Sequence, residues 1–146
     1  MVPADRDTAS TRLPRVLCVD DEPCTLSTLR RVLRAQFEIV SHQDPLAALA
    51  LVQQGSEFAV VIADMNMPGM TGLELVRAIG AISPATAHVM LTGEVVADPA
   101  ALVGDGVFRS LSKQCSLATL RQTIADAAGQ HTGREAAAAV AAGRRP

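Results

Sequence analysis

Five polar residues fall where they could take part in one reaction. Asp20 and Asp21 close the run "RVLCVDD", Asp64 closes "FAVVIAD", Thr92 closes "HVMLT", and Lys113 directly follows "VFRSLS". Each run reads as a β-strand of a parallel sheet, so all five residues should meet at the carboxyl edge of that sheet, where sites form in open α/β folds. Three carboxylates brought together repel and raise one another's pKa unless a cation sits among them. Oxygen ligands alone suit Mg²⁺, which keeps several waters and leaves a position for a phosphoryl oxygen. Lys113 supplies a fixed positive charge, and the Thr92 hydroxyl can donate to an oxygen. A metal, an ammonium and a hydroxyl around one carboxylate make a phosphoryl-transfer site, with Asp64 as nucleophile and an acyl phosphate as product. Taken singly, each residue has a plainer role. Asp64 could be a turn residue, Asp20 and Asp21 the start of a helix, Thr92 a strand exit and Lys113 a solvated charge. The plain roles do not explain why all five gather at one end of the sheet.

The elements that must hold them are legible in the periodicity. "RVLCVDD", "FEIVS", "FAVVIAD", "HVMLT" and "VFRSLS" are short apolar runs, and the third is continuous enough to be buried on both faces. Between them lie helical patterns. Leu26, Leu29 and Leu33 form one stripe, Leu73, Val76 and Ile79 a second, and Leu117, Leu120 and Ile124 a third. Asp44 and Asp98, each followed by Pro, read as helix caps, as does Ser116, and Gly55 and Gly129 mark helix ends. Five strands alternating with five helices predict an α/β fold, a doubly wound parallel sheet with right-handed crossovers.

The 146 residues suit one domain, with residues 15–128 as the compact unit. Residues 1–14 read as a flexible arm, and residues 129–146 as an Ala- and Arg-containing tail, disordered or a frayed helix. Apolar residues make up 49% but aromatic ones only 2%, so Ala, Val and Leu must build the core. A net charge of −2 gives no electrostatic case for nucleic acid or an anionic membrane as partner. No export signal is visible and no apolar run can span a bilayer, which points to a cytoplasmic protein. The three cysteines lack metal-ligand spacing; Cys18 reads as a buried thiol, Cys24 and Cys115 as surface thiols. His42, His88 and His131 have no partner set for catalysis and read as structural or exposed.

"VDDEP", "ADMNMPGMTGLEL", "MLTGE" and "FRSLSK" resemble, in order and spacing, the motifs of response-regulator receiver domains, over roughly Arg15 to Ala128. The resemblance implies a flavodoxin-like sheet of order 2-1-3-4-5, the order of flavodoxin and chemotaxis receivers. It implies Asp64 as phospho-acceptor, with Asp20, Asp21 and the backbone carbonyl of Asn66 joining it around Mg²⁺. Thr92 matches the switch hydroxyl, and Lys113 the phosphate-pairing lysine. A histidine kinase or phosphotransfer protein would be the donor, and an unidentified downstream protein the reader. Asn66 and Glu94 occupy the flanking positions that fast-resetting chemotaxis receivers also fill in this way, which implies a short-lived phosphoryl group.

Two positions depart from the family. Gln114 follows Lys113 where proline is usual. A cis bond there would cost about 3–4 kcal/mol, so the loop is either trans or strained. Ser110 stands where a Phe or Tyr usually swings inward on phosphorylation, and the nearest aromatic is Phe108. These departures keep open a receiver that docks without phosphorylation. A phosphatase of the haloacid dehalogenase type is a further alternative. That class needs a second Asp where Asn66 stands, and a nucleophile on the first strand.

Overall fold

The computed structural model describes residues 13–93 and 106–141, with side chains as far as residue 131. Five strands, β1 (Arg15–Val19), β2 (Glu38–His42), β3 (Val60–Asp64), β4 (Ala87–Thr92) and β5 (Val107–Ser112), form one parallel sheet in the order β2-β1-β3-β4-β5. Four helices are present among the described residues: α1 (Pro23–Leu33), α2 (Pro45–Gln53), α3 (Gly72–Ile82) and α4 (Leu117–Ala141). The helix expected to start at Asp98 lies outside the described residues.

Successive residues of a strand face opposite sides, so the sheet sorts its own apolar residues into two cores. Val16, Cys18, Val60, Ile62, Val89 and Leu91 pack under α1 and α4. Leu17, Val19, Val61, Ala63 and Met90 pack under α2 and α3. The central strand β3 is buried along its whole length, as its continuous apolar run requires. Phe37 and Phe58 are buried, and Phe108 is only half-buried against the α1/α4 core, so aliphatic side chains carry most of the packing.

Local chemistry sets the helix ends. Asp44 caps α2 by accepting from the Leu46 N–H at 3.0 Å, with Pro45 at the first helical position. Thr71 and Glu74 form a reciprocal capping box at the start of α3. Ser116 accepts from the Thr119 N–H at 3.0 Å at the start of α4. Gly55, just past α2, has φ +103°, a conformation that favours glycine.

Four sequence expectations need correction. In α3 the fully buried positions are Leu75, Val76 and Ile79, while Leu73 is half-buried. Leu75 and Ile79 are four apart and Val76 three before Ile79, so these share the face centred on the sheet, with Leu73 at its margin. Leu117 is exposed, because it sits in the first turn of α4 beyond the strands; Leu120 and Ile124 alone of that stripe reach the core. Cys115 is half-buried against the α1/α4 core rather than a surface thiol, whereas Cys18 is buried and Cys24 exposed, as expected. Burial pushes the Cys18 thiol up to about 12, which leaves it protonated and inert. Helix α4 also continues past Gly129 to Ala141. A glycine inside a helix costs about 1 kcal/mol relative to alanine, which the Ala-rich run after it can offset through high helix propensity.

Candidate functional site

The strand ends bring the predicted acids together. Val19 pairs with Ala63, so Asp20, the next residue after β1, comes level with Asp64 at the end of β3. Asp64 in turn pairs with Leu91, one residue before Thr92. One oxygen each from Asp20, Asp21 and Asp64 lies within 4.8 Å of the others. Asp20 and Asp64 are buried, and Asp21 is exposed at the rim. The backbone locks this floor in place: the Asp20 N–H donates to the His42 carbonyl at 3.2 Å, and the Met65 N–H to the Leu91 carbonyl at 3.3 Å. Asp64 Oδ1 accepts from the Asn66 N–H at 3.4 Å, which places Asn66 in the turn directly above it.

Lys113 reaches the same cluster from β5. Its N–H donates to the Thr92 carbonyl at 2.8 Å, extending the β4–β5 ladder by one step and fixing where the side chain departs. Its Nζ lies 3.0 Å from Asp20 Oδ2 and 3.5 Å from Asp64 Oδ2. It also lies 2.9 Å from Glu22 Oε1, to which it donates a hydrogen bond. Thr92 is buried at the end of β4, between Asp64 and Lys113 in strand order.

Electrostatics follow from this geometry. Burial first, then the neighbouring Asp20 charge, push the Asp64 carboxyl above its ordinary value; Lys113 and the Asn66 N–H pull the other way without cancelling them. Burial alone would lower the Lys113 ammonium, but Glu22, Asp20 and Asp64 outweigh it and raise the lysine further, so it stays charged. Lys113 holds Glu22 below the usual carboxylate range. Asp20 Oδ2 is a buried oxygen whose close partner is the Lys113 ammonium at 3.0 Å.

Two residues escaped sequence reasoning. Glu22 read only as part of a helix start, and its 91-residue separation from Lys113 left no local signal. Gly72 belonged to a quoted motif, but its reason is three-dimensional. A Cβ built on it would come 2.9 Å from the Asp64 carbonyl carbon, nearer still to that carbonyl's oxygen, and 3.0 Å from Met90 Sδ. The Gly72 N–H donates to the Met65 carbonyl at 3.0 Å, tying the start of α3 against the end of β3.

The remaining expectations also have places. No cis peptide occurs among the described residues, so the Lys113–Gln114 bond is trans. Ser110 is half-buried in β5, opposite Met90. Glu94 lies outside the described residues. His88 is buried, and His131 Nδ1 lies 3.0 Å from the Ala85 carbonyl, both away from the acidic cluster.

An acidic cluster, an ammonium and a hydroxyl at the carboxyl edge of a 2-1-3-4-5 parallel sheet define a receiver-type module. The chain belongs to the response regulator receiver domain family, whose profile matches residues 16–125. It is 34% identical over 127 residues to the sensor protein GacS of Pseudomonas syringae pv. syringae, an alignment covering 79% of this chain and 13% of that protein. It is 38% identical over 68 residues to the two-component response regulator ORR22 of Oryza sativa subsp. indica, covering 45% of this chain and 10% of that one. The chain therefore spans only a small part of the length of these curated relatives. Among solved structures, the chemotaxis protein CheY4 of Vibrio cholerae aligns with a TM-score of 0.72 at 31% identity, over 79% of this chain and 98% of that one. A chain described as adenylate cyclase from Rhodopirellula baltica aligns with a TM-score of 0.74 at 34% identity, over 84% and 95%. No helix among the described residues is long and apolar enough to cross a membrane.

Proposed function

We propose that this chain is a phospho-accepting response regulator that takes a phosphoryl group onto Asp64 from a histidine kinase or phosphotransfer protein and signals by protein contact. The observation that carries this reading is the Lys113 ammonium lying between the buried carboxylates of Asp20 and Asp64. Residues 15–128 are the working unit, flanked by residues 1–14 and 129–146, and the cytoplasm is its compartment. The site is not that of an enzyme acting on a separate substrate; its chemistry is its own phosphorylation and dephosphorylation.

The donor set fits Mg²⁺. Three carboxylates, two of them buried, converge within 4.8 Å with the Lys113 ammonium set against Asp20 and Asp64, an all-oxygen donor set of the kind Mg²⁺ takes. Asp20, Asp21, Asp64 and the backbone carbonyl of Asn66 would hold the ion, which when bound neutralises charge on the transferring phosphoryl group. The chain's own residues supply the rest. The cluster opens at its rim, where Asp21 is exposed, and a donor would approach Asp64 from that side. One Asp64 oxygen attacks phosphorus, the new P–O bond forms as the donor's P–N bond breaks, and the imidazole leaves with the electron pair. Lys113 pairs with a phosphoryl oxygen, and the Thr92 hydroxyl donates to another.

Intact-mass spectrometry with a small phosphodonor tests this. Wild type with Mg²⁺ gains one phosphoryl group, whereas Asp64→Ala and an EDTA-treated sample gain none. Labelling of Asp64→Ala equal to wild type would contradict the assignment. A receiver that docks without phosphorylation predicts no addition to wild type, and a phosphatase predicts turnover of a chromogenic phosphate ester. Side chains beside the phosphorus tune how readily a water lines up behind it, and Asn66 and Glu94 are the pair found in fast-resetting chemotaxis receivers, so the group is lost soon after donor removal; persistence over many hours would count against this.

Ser110 sets a further expectation. Burying a Phe side chain contributes roughly 1.5–3 kcal/mol, comparable with a typical coupling energy, and Ser110 has no ring to bury. On adding Mg²⁺ and beryllofluoride, a stand-in for the phosphoryl group, amide shifts should be large around Asp64. They should be small at Ser110, at Leu111 and along α4 from Leu117 to Ala127. They should grow in Ser110→Phe, and equally large shifts on both faces of wild type would oppose this.

A further inference from the structure

We propose that Glu22 is a resting-state latch: its carboxylate holds the Lys113 ammonium at the rim of the site until a phosphoryl oxygen takes its place, which unties the start of α1 from the end of β5. The proposal rests on the reading of Asp64 as phospho-acceptor and adds a positioning residue to it.

Three acids share one ammonium, and they are not equivalent. Glu22 at 2.9 Å and Asp20 at 3.0 Å hold the ammonium about equally closely, and Asp64, the reacting acid, is the farthest at 3.5 Å. The Glu22 side chain is 63% exposed, against 2% for Asp20 and 8% for Asp64. Water can replace the ammonium at Glu22 but not at the other two. Glu22 is therefore the partner that Lys113 can leave at least cost. The motion lies in the side chain, since the Lys113 backbone is held by the Thr92 carbonyl while its flexible stem carries the charge.

The second observation concerns helix capping. Glu22 is the N-cap residue of α1, yet its side chain makes no cap hydrogen bond. Its N–H donates to Asp20 Oδ1 at 2.9 Å, and its carbonyl accepts from Thr25 and Leu26 at 3.1 and 3.3 Å, so the backbone is fixed. The usual cap residues are Ser, Thr, Asp and Asn, whose short side chains turn back to the helix. Here the longer acid leaves the backbone N–H groups uncapped: its Oε1 accepts from the Thr25 hydroxyl at 3.5 Å and, more closely, from a lysine 91 positions later. A phosphoryl group offers more charge and more acceptor oxygens than a carboxylate, so it draws Lys113 off Glu22.

Glu22→Gln and Glu22→Asp test the latch in saturating Mg²⁺. Gln removes the charge. Asp keeps the charge but is too short to hold Lys113 and suits the cap instead. Both variants should bind beryllofluoride more tightly, by about two- to fivefold, the range expected for losing an exposed ion pair that competes for the lysine. The Lys113 Cε–Hε cross-peak supplies a readout that a loss of structure would not produce. In both variants without anion it should already be displaced toward its position in beryllofluoride-bound wild type. Unchanged or weaker affinity, or an unmoved cross-peak, would overturn the proposal. So would tighter binding in Glu22→Gln alone, because that reports net charge rather than reach. Wild type that binds no beryllofluoride would refute the phospho-acceptor reading and the latch with it. Wild type that binds, with variants that match it, would refute the latch only.

Discussion

Gly72→Ala should lower the stability of the protein by about 1–3 kcal/mol, the usual cost of overpacking, and slow its phosphorylation. The added methyl would enter the Asp64 backbone carbonyl and touch Met90 Sδ. A flexible side chain could move aside, but the nearest atoms are the main chain of a strand buried on both faces. Helix propensity argues the other way, since alanine is favoured over glycine by up to about 1 kcal/mol. That gain is smaller than the clash, and at the first residue of α3 it is not fully realised. Either α3 retreats or the end of β3 does, and in both cases Asp64 loses its place beside Asp20. Urea denaturation measures the first effect, and the rate of mass gain with a phosphodonor the second. A variant as stable and as fast as wild type would show that the contact relaxes freely.

Asp64→Asn should take no phosphoryl group and yet be more stable than wild type at neutral pH without metal. Burial and the Asp20 charge raise the Asp64 carboxyl above its ordinary value. The native state thus binds that proton more tightly than the unfolded chain does. The stability associated with Asp64 is present in full below the ordinary carboxylate range and is lost as pH rises through the raised native value. At neutral pH the charged acid is therefore a liability, and the isosteric amide removes it. The expected gain is roughly 0.5–2 kcal/mol, typical of single stabilising substitutions. Lys113 keeps Asp20 and Glu22 as partners in the variant. Melting curves in EDTA should place Asp64→Asn above wild type at pH 7 and converge with it in acid. Saturating Mg²⁺ should reverse the order, because a ligand at 100 times its Kd stabilises the binding form by about 2.7 kcal/mol. A variant less stable than wild type in EDTA at pH 7 would mean that the Lys113 contact outweighs burial.

The sheet and its carboxyl-edge residues were legible because both obey short-range rules. A short continuous apolar run such as "FAVVI", rich in valine and isoleucine, reads as a doubly buried strand, and the residue that ends it then emerges at the sheet edge. Asp20, Asp21 and Asp64 were readable for that reason, and the structure brings them together. Contacts that depend on side-chain reach across the fold were not legible. Glu22 and Lys113 carry no shared pattern, and only the approach of the start of α1 to the end of β5 pairs them. Nor could periodicity tell Leu73 from Leu75, since both lie within about 100° of Val76 around the helix, one on either side. Leu117 was misplaced because its spacing matched the stripe while the strands ended before it.

The contact between His131 and the Ala85 carbonyl gives α4 a mechanical character. A carbonyl can only accept, so Nδ1 carries the proton, and the ring moors the helix to the loop before β4 at the edge of the sheet opposite the acids. The helix begins at the Ser116 cap, a few residues past Lys113, and is pressed to the sheet by Leu120, Ile124 and Ala127 on the way. The fifteen residues of helix from Leu117 to His131 span about 22 Å. A rod seated in the middle and moored at its far side behaves as a brace: it steadies the loop that carries Lys113, so that the charge can move while the backbone beneath it stays put.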